Sequence, residues 1–122
     1  MSWLLVALGG ALGAVSRYGI GRVLLVYPGF PFATLVVNVT GSFFIGYLAA
    51  LFLQRPGSDD LRLLLVTGFL GAFTTFSAFS LETLMLYQQG EPFRAALNIL
   101  LSLVLCLGAV SAGFLLARQF LS

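Results

Sequence analysis

Histidine and lysine are absent from this sequence, and charged side chains make up only 8% of its 122 residues. A soluble domain carries about 25% charged residues, so this composition is too poor in charge for a water-facing surface. The mean hydropathy of +1.06 and the hydrophobic share of 60% indicate instead a protein that lies in a lipid bilayer.

The same shortages exclude most catalytic and nucleic-acid-binding chemistry. Without histidine the chain lacks the most frequent general base, and it has no acid pair inside a hydrophobic segment. Its lone cysteine, Cys106, lies in an apolar run that favours an inert buried thiol. The arginines are dispersed and form no basic patch. We therefore expect neither an enzyme nor a protein that binds nucleic acid.

Four hydrophobic segments account for almost the whole chain. At roughly 20 apolar residues per membrane crossing, they predict transmembrane helices over about residues 3–26, 32–53, 61–88 and 93–120. The first segment has no positive n-region and is expected to be retained rather than cleaved. We predict an all-α membrane protein with a single four-helix transmembrane domain, residues 1–122.

The third predicted span contains the most unusual stretch, residues 67–80, where two glycines and five hydroxyl residues alternate with four phenylalanines. Hydroxyl groups in lipid need partners and glycine loosens a helix, so we predict a break in this helix that is buried in protein. The phenylalanines form an aromatic stripe that either packs or offers electropositive ring edges to an anion. Carbonyl groups freed at a break would attract a cation instead.

Polar side chains on the predicted spans each have two open interpretations. Asn38 would form an interhelical hydrogen bond or donate its amide N–H to a passing anion. Arg17, about four turns into the first span, would line a wet vestibule or snorkel to the membrane edge. Glu82 would snorkel or lie along a pathway. The four-residue spacing of Gly9 and Gly13 predicts close helix packing.

The arginines provide no orientation signal. They divide equally between the two sides of the membrane that four spans would create: Arg55, Arg62 and Arg118 on the side of both termini, and Arg17, Arg22 and Arg94 on the other. The positive-inside rule needs an asymmetry, and the count here is three against three. We therefore predict dual topology and an antiparallel homodimer, in which the third spans of two copies meet at a two-fold axis.

Three stretches of the sequence resemble the small fluoride channels of the Fluc, or CrcB, family. They are Gly-Ala-Val-Ser-Arg-Tyr in the first span, Val-Asn-Val-Thr-Gly-Ser-Phe in the second, and Gly-Phe-Leu-Gly-Ala-Phe-Thr-Thr-Phe-Ser-Ala-Phe-Ser in the third. The third stretch is highly specific, and the resemblance covers all four spans. It implies a dual-topology antiparallel homodimer with two fluoride pathways, which passively exports cytoplasmic fluoride across the inner (plasma) membrane.

The resemblance also implies the residues of the fluoride pathway. Phe76 and Phe79 match the two pore phenylalanines, whose ring edges face fluoride, and Asn38 matches the asparagine that orients the fluoride-coordinating ring. Further positions match hydroxyls or lie near the polar track described for these channels: Ser77, Ser80, Glu82 and Ser102.

A structural sodium ion at the dimer centre is the cofactor that the resemblance implies. The backbone carbonyls of Gly71 and Thr74 match its ligands, and Arg17 matches the vestibule arginine. Two positions differ from frequent family residues: Asn98 stands where some members have tyrosine, and Ala78 stands where threonine is frequent.

Two other classes of membrane protein are alternatives to a fluoride channel. A small multidrug exporter is also a four-span dual-topology dimer, but its proton coupling needs a membrane-embedded acid, typically in the first span, and this first span has none. A non-transporting scaffold subunit would explain the glycine faces. It would not explain why hydroxyls and phenylalanines alternate in residues 67–80.

Overall fold

The computed structural model describes residues 1–24, 29–54, 57 and 59–121, and every regular element in this part of the chain is helical. The elements follow in this order: α1, Ser2–Val23; α2, Phe32–Gln54; α3, Asp59–Arg62; a π-helical segment, Leu63–Leu70; α4, Gly71–Phe73; α5, Phe76–Gln88; and α6, Pro92–Leu121.

Four stretches are long and apolar enough to cross a membrane: Ser2–Val23, Phe32–Gln54, Asp59–Gln88 and Pro92–Phe120. Asp59–Gln88, which combines several elements, is called the third span below. The described residues do not include residue 26, where the first span was predicted to end, or residue 122, the last residue of the predicted domain. They also do not include Arg55 from the charge count.

Helix α1 packs along the π-helical segment and α4. Gly9 and Gly13 are buried in this contact. A Cβ on Gly9 would overlap the carbonyl oxygen of Leu64, and one on Gly13 would overlap that of Phe69. The two backbones therefore approach as closely as they do because no side chain separates them. This confirms the close packing predicted from the glycine spacing.

Helices α2 and α6 form the second close pair, and the two helices contribute one glycine each. A Cβ on Gly46 of α2 would overlap the carbonyl oxygen of Val110, and one on Gly113 of α6 would overlap that of Phe43. Helix α5 packs against α6 as well. The two parts of the third span thus have different main neighbours, α1 for the first part and α6 for the second.

Thr74 and Thr75 separate α4 from α5 and are called the Thr74–Thr75 linker. Their φ and ψ angles are −84° and 156° for Thr74, and −152° and 121° for Thr75, which is extended backbone. The hydroxyl of Thr75 accepts a hydrogen bond from the N–H of Ala78 at 3.1 Å. Threonine is a favoured N-cap, so the linker also starts α5.

The linker divides the four phenylalanines of the third span into two pairs. Before the linker, Phe69 and Phe73 stack with ring centroids 5.6 Å apart, and Phe73 is buried beside Val37 in the core. After the linker, Phe76 and Phe79 have centroids 5.4 Å apart. The single aromatic stripe inferred from helical spacing is therefore wrong, because two extended residues interrupt the helical phase.

Candidate functional site

Asn38 of α2 makes two hydrogen bonds with the backbone of Thr75. Its amide N–H donates to the carbonyl oxygen of Thr75 at 3.0 Å, and its Oδ1 accepts from the N–H of Thr75 at 2.8 Å. In a continuous helix the N–H of Thr75 would donate to the carbonyl of Gly71. The side-chain amide thus replaces a helical hydrogen bond and holds the backbone extended directly before Phe76.

The carbonyl groups of Gly71, in α4, and of Thr74, in the linker, do not receive their usual helical hydrogen bonds, because the N–H groups that would donate them bond elsewhere. The N–H of Thr75, the helical donor to Gly71, goes to Asn38. The N–H of Ala78, which would serve Thr74, goes to the hydroxyl of Thr75. Gly71 is exposed in the protomer and Thr74 is half-buried. Carbonyl oxygens of this kind can bind a small cation at membrane depth.

Arg17 reaches the end of α4 from α1. Its Nε donates to the carbonyl oxygen of Ala72 at 3.1 Å. The C-terminal carbonyls of a helix lack intrahelical donors, and a positive charge there is favoured by the helix dipole. Arg17 also lines a cavity of about 350 Å³ together with Arg22, Thr34 and Glu82. The guanidinium therefore has a polar partner inside the protein and faces an open cavity.

An open groove of about 340 Å³ lies between the linker and α6. Residues from α2, the third span and α6 line it, among them Asn38, Thr75, Phe76, Phe79, Ser102 and Cys106. Phe76 is 76% exposed in the protomer, whereas Ser102 is 8% exposed. The groove brings together the amide, the two aromatic rings and the α6 hydroxyl that were predicted to form a pathway.

Three other predicted pathway residues lie outside this groove. The hydroxyl of Ser77 is 3.2 Å from that of Thr75, and the hydroxyl of Ser80 donates to the carbonyl of Phe76 at 2.9 Å. Both serines are exposed in the protomer. Glu82 accepts a hydrogen bond from Thr34 at 3.0 Å and lines the cavity of Arg17 instead.

Two threonines that were not predicted from the sequence contact the site residues. Thr34 lies four residues before Asn38, on the same face of α2, and binds the carboxylate of Glu82. Thr83 lies four residues after Phe79 and donates to its carbonyl oxygen at 2.7 Å. In both cases the signal was present as a hydroxyl one helical turn from a residue already identified.

Four apolar helices with a polar, partly extended segment packed among them define a multi-pass membrane protein. A family model described as "CrcB-like protein, Camphor Resistance (CrcB)" matches residues 4–114. The chain therefore belongs to the CrcB family.

Curated relatives cover nearly the whole chain. A Methylococcus capsulatus protein named "Fluoride-specific ion channel FluC" is 48% identical over 122 residues, which is 98% of this chain and 54% of that protein. Proteins of the same name from Rhizobium etli and Coxiella burnetii are 49% and 46% identical, over 94% and 98% of this chain. The chain spans about half the length of the first relative (54%), but 94% and 99% of the other two.

Proposed function

We propose that this protein is a fluoride-selective ion channel that passively exports cytoplasmic fluoride and lowers its intracellular concentration. The name of the relatives, fluoride-specific ion channel, supports fluoride as the permeant ion. The observation that carries the proposal is the Thr74–Thr75 linker. Asn38 holds it extended through two hydrogen bonds, and Phe76, directly after it, is 76% exposed at a groove.

The groove suits a small anion that must lose its water and still be released. Fluoride is strongly hydrated, so several weak donors have to act together, and none should bind it too tightly. Phe76 and Phe79 offer electropositive ring edges. The Asn38 amide has two N–H donors, of which one is given to Thr75. A fixed arginine in the same place would retain the anion.

The remaining polar residues extend this pathway beyond the groove. Ser102 adds a hydroxyl within the groove, Ser77 and Ser80 add hydroxyls on the exposed face of α5, and Glu82 lies at the cavity of Arg17. Arg17 belongs to the vestibule, because it lines an open cavity beside Glu82. Its positive charge attracts anions towards the groove without lying in it.

The acid chemistry of fluoride explains the benefit of export across the inner (plasma) membrane, which is the location we propose. The neutral weak acid HF crosses membranes and dissociates inside the cell, which traps the anion. A passive channel lets the trapped anion leave down its electrochemical gradient. No energy source or transported counter-ion is required.

The working unit is an antiparallel homodimer of two dual-topology copies. In the isolated protomer, Gly71, Phe76, Ser77 and Ser80 are exposed on the third span. The hydroxyls of Ser77 and Ser80 and the Gly71 carbonyl, whose helical donor is engaged elsewhere, make this surface unfavourable against lipid. A second copy, related by a two-fold axis in the membrane plane, would cover it with the same surface, as an isologous interface does. Two copies give two grooves, and hence two pathways.

A structural sodium ion at the centre of that dimer fits the donor set. Hard cations prefer oxygen ligands, and the carbonyls of Gly71 and Thr74 are oxygens whose helical donors are engaged elsewhere. When bound, sodium would offset the negative ends of these carbonyl dipoles. A map of the assembled dimer with ions resolved tests the assignment, and the absence of an ion beside these carbonyls would contradict it.

Substitution of the two groove phenylalanines tests the proposed function. Phe76→Ile and Phe79→Ile keep an apolar side chain but remove the ring edge. In liposomes that contain purified protein, each change should lower fluoride efflux by about tenfold or more, which corresponds to about 1.4 kcal/mol in the barrier. The dimer should still form.

Phe120→Ile is the matched control, because Phe120 is 74% exposed in α6 and does not line the groove. It should leave efflux unchanged. Wild-type efflux of chloride at a rate similar to fluoride would contradict a selective channel. Unchanged fluoride efflux in both groove variants would remove the rings from the pathway.

A further inference from the structure

Asn98 of α6 is one of the most deeply buried polar residues of the chain, at 2% exposure. Its Nδ2 donates to the hydroxyl oxygen of Thr83 in α5 at 2.9 Å. The hydroxyl of Thr83 in turn donates to the backbone carbonyl oxygen of Phe79 at 2.7 Å. Two consecutive hydrogen bonds therefore connect the α6 amide with the backbone of a groove phenylalanine.

We infer that Asn98 is a positioning residue, which acts through Thr83 to fix Phe79 at the groove. The inference rests on the proposed function, because that function places the ring of Phe79 against fluoride. Asn98 itself does not line the groove, so its connection to the groove runs through Thr83.

Asn98 lies close to the groove in the structure, although it does not line it. Asn98 lies four residues before Ser102, so the two share one face of α6, and Ser102 lines the groove with Phe79. Helix α5 follows the Thr74–Thr75 linker and packs mainly against α6. The contact between Asn98 and Thr83 thus holds α5 about one turn beyond Phe79.

The hydrogen bond between Asn98 and Thr83 is expected to affect the position of Phe79 more than the overall stability of the protein. An interhelical hydrogen bond in a membrane protein contributes about 0.6 kcal/mol on average. Loss of the Asn98 amide would leave the Thr83 oxygen without this donor and allow α5 to shift along α6. Small displacements of groups that must meet a reacting or permeating species have large kinetic effects. Flux is therefore expected to fall more than stability.

A double-mutant cycle between the two residues tests this inference. Asn98→Leu removes the donor, Thr83→Val removes the hydroxyl at nearly constant shape, and Thr83→Ser keeps the hydroxyl. Fluoride efflux is measured per folded dimer in liposomes. We expect Asn98→Leu and Thr83→Val each to lower efflux at least about fivefold. The efflux of the double variant should be no lower than that of the more impaired single variant, because the two residues act through one connection. Thr83→Ser should match the wild type.

Thr40→Val is the matched control, because the Thr40 hydroxyl bonds only within its own helix, to the carbonyls of Val36 and Val37. It should not change efflux. Multiplicative losses in the double variant would overturn the connection through Thr83, and unchanged efflux in Thr83→Val would overturn the positioning role. If Asn98→Leu does not fold, the comparison of Thr83→Val with Thr83→Ser still decides the role of the hydroxyl.

A second readout does not depend on transport. With fluorophenylalanine placed at position 79, the ¹⁹F resonance should move in Asn98→Leu and Thr83→Val but not in Thr40→Val. A resonance that stays in place in both Asn98→Leu and Thr83→Val contradicts the inference even if fluoride is conducted. Wild-type protein that does not conduct fluoride contradicts the proposed function. The ¹⁹F shifts then still show whether Asn98 and Thr83 position Phe79.

Discussion

At the residue scale, Asn38 determines where the third span leaves the helical conformation. It supplies both a donor and an acceptor to the backbone of Thr75, at 3.0 and 2.8 Å. An extended backbone at membrane depth is unfavourable unless its polar groups are satisfied within the protein. One carboxamide meets this need for the backbone of Thr75, the residue directly before Phe76.

The near-isosteric variant Asn38→Asp tests this role. A carboxylate can still accept from the N–H of Thr75 but cannot donate to its carbonyl oxygen, and its charge opposes an anion in the groove. An unsatisfied buried acceptor costs about 1–3 kcal/mol. We expect fluoride efflux in liposomes to fall at least about tenfold.

Ser16→Ala serves as the control for Asn38→Asp, because the hydroxyl of Ser16 donates only to the carbonyl of Leu12 in its own helix. Its efflux should equal that of the wild type. Full activity in Asn38→Asp would show that the donor half of the amide is not needed.

The sequence alone left two roles for Asn38 because its partner lies far away in the chain. The spacing in α2 shows that the amide faces protein rather than lipid, but it does not show which backbone group it meets. Thr75 is 37 residues away, and its N–H is available only because the helix stops there. The structure shows the hydrogen bonds between α2 and the Thr74–Thr75 linker, and donation of the second amide N–H to an anion stays a prediction.

At the element scale, the close contact of α1 with the π-helical segment supports the first part of the third span. Gly9 and Gly13 lie against the carbonyls of Leu64 and Phe69. A π-helix is wider than an α-helix, is rare, and is frequently found at functional sites. Here the π-helical segment lies against Gly9 and Gly13 of α1, where no side chain separates the two backbones.

Gly13→Ala should destabilise this contact. The added Cβ would overlap the carbonyl oxygen of Phe69, and overpacking of a close interface typically costs about 1–3 kcal/mol. We expect a lower Tm for the purified protein in detergent. The measurement is thermal unfolding, monitored by the loss of folded protein.

Gly19→Ala on the same helix gives the matched comparison. A Cβ at Gly19 meets nothing within 4 Å, and alanine favours a helix over glycine by about 0.5–1 kcal/mol. Its Tm should stay the same or rise. Equal Tm values for Gly13→Ala and Gly19→Ala would mean that the α1 contact is looser than described.

Hydrophobic length predicted the four apolar helices, because a membrane span depends on local composition. The π-helical segment could not be predicted in the same way, since it depends on the backbone of α1. The phase of the phenylalanines could not be predicted either. Helical spacing placed Phe73 and Phe76 on one stripe, but two extended residues lie between them, and Phe73 enters the core.

At the scale of the whole molecule, the turns before α2 and before α6 lie together. Arg94 donates to the carbonyl oxygen of Gly29 at 3.0 Å and lies 3.8 Å from Glu91. This agrees with helices that alternate in direction, so that Gly29 and Arg94 share one side. The equal division of arginines between the two sides then leaves orientation unbiased, which supports the proposed dual topology.

Reporter fusions at the C-terminus test this orientation. We expect activity from a reporter that works only in the cytoplasm and from one that works only outside it. Two arginines introduced as Gln88→Arg and Gln89→Arg should shift the population towards one orientation, since they bias one side. A wild-type chain that reports a single compartment would rule out dual topology.

The most direct test of the account is the reversal potential across a bilayer that contains the purified protein, with fluoride on one side and chloride on the other. A fluoride-selective pathway predicts a large reversal potential, with the sign set by the fluoride gradient. A reversal potential near zero, which would mean that chloride passes as readily as fluoride, would contradict the central claim.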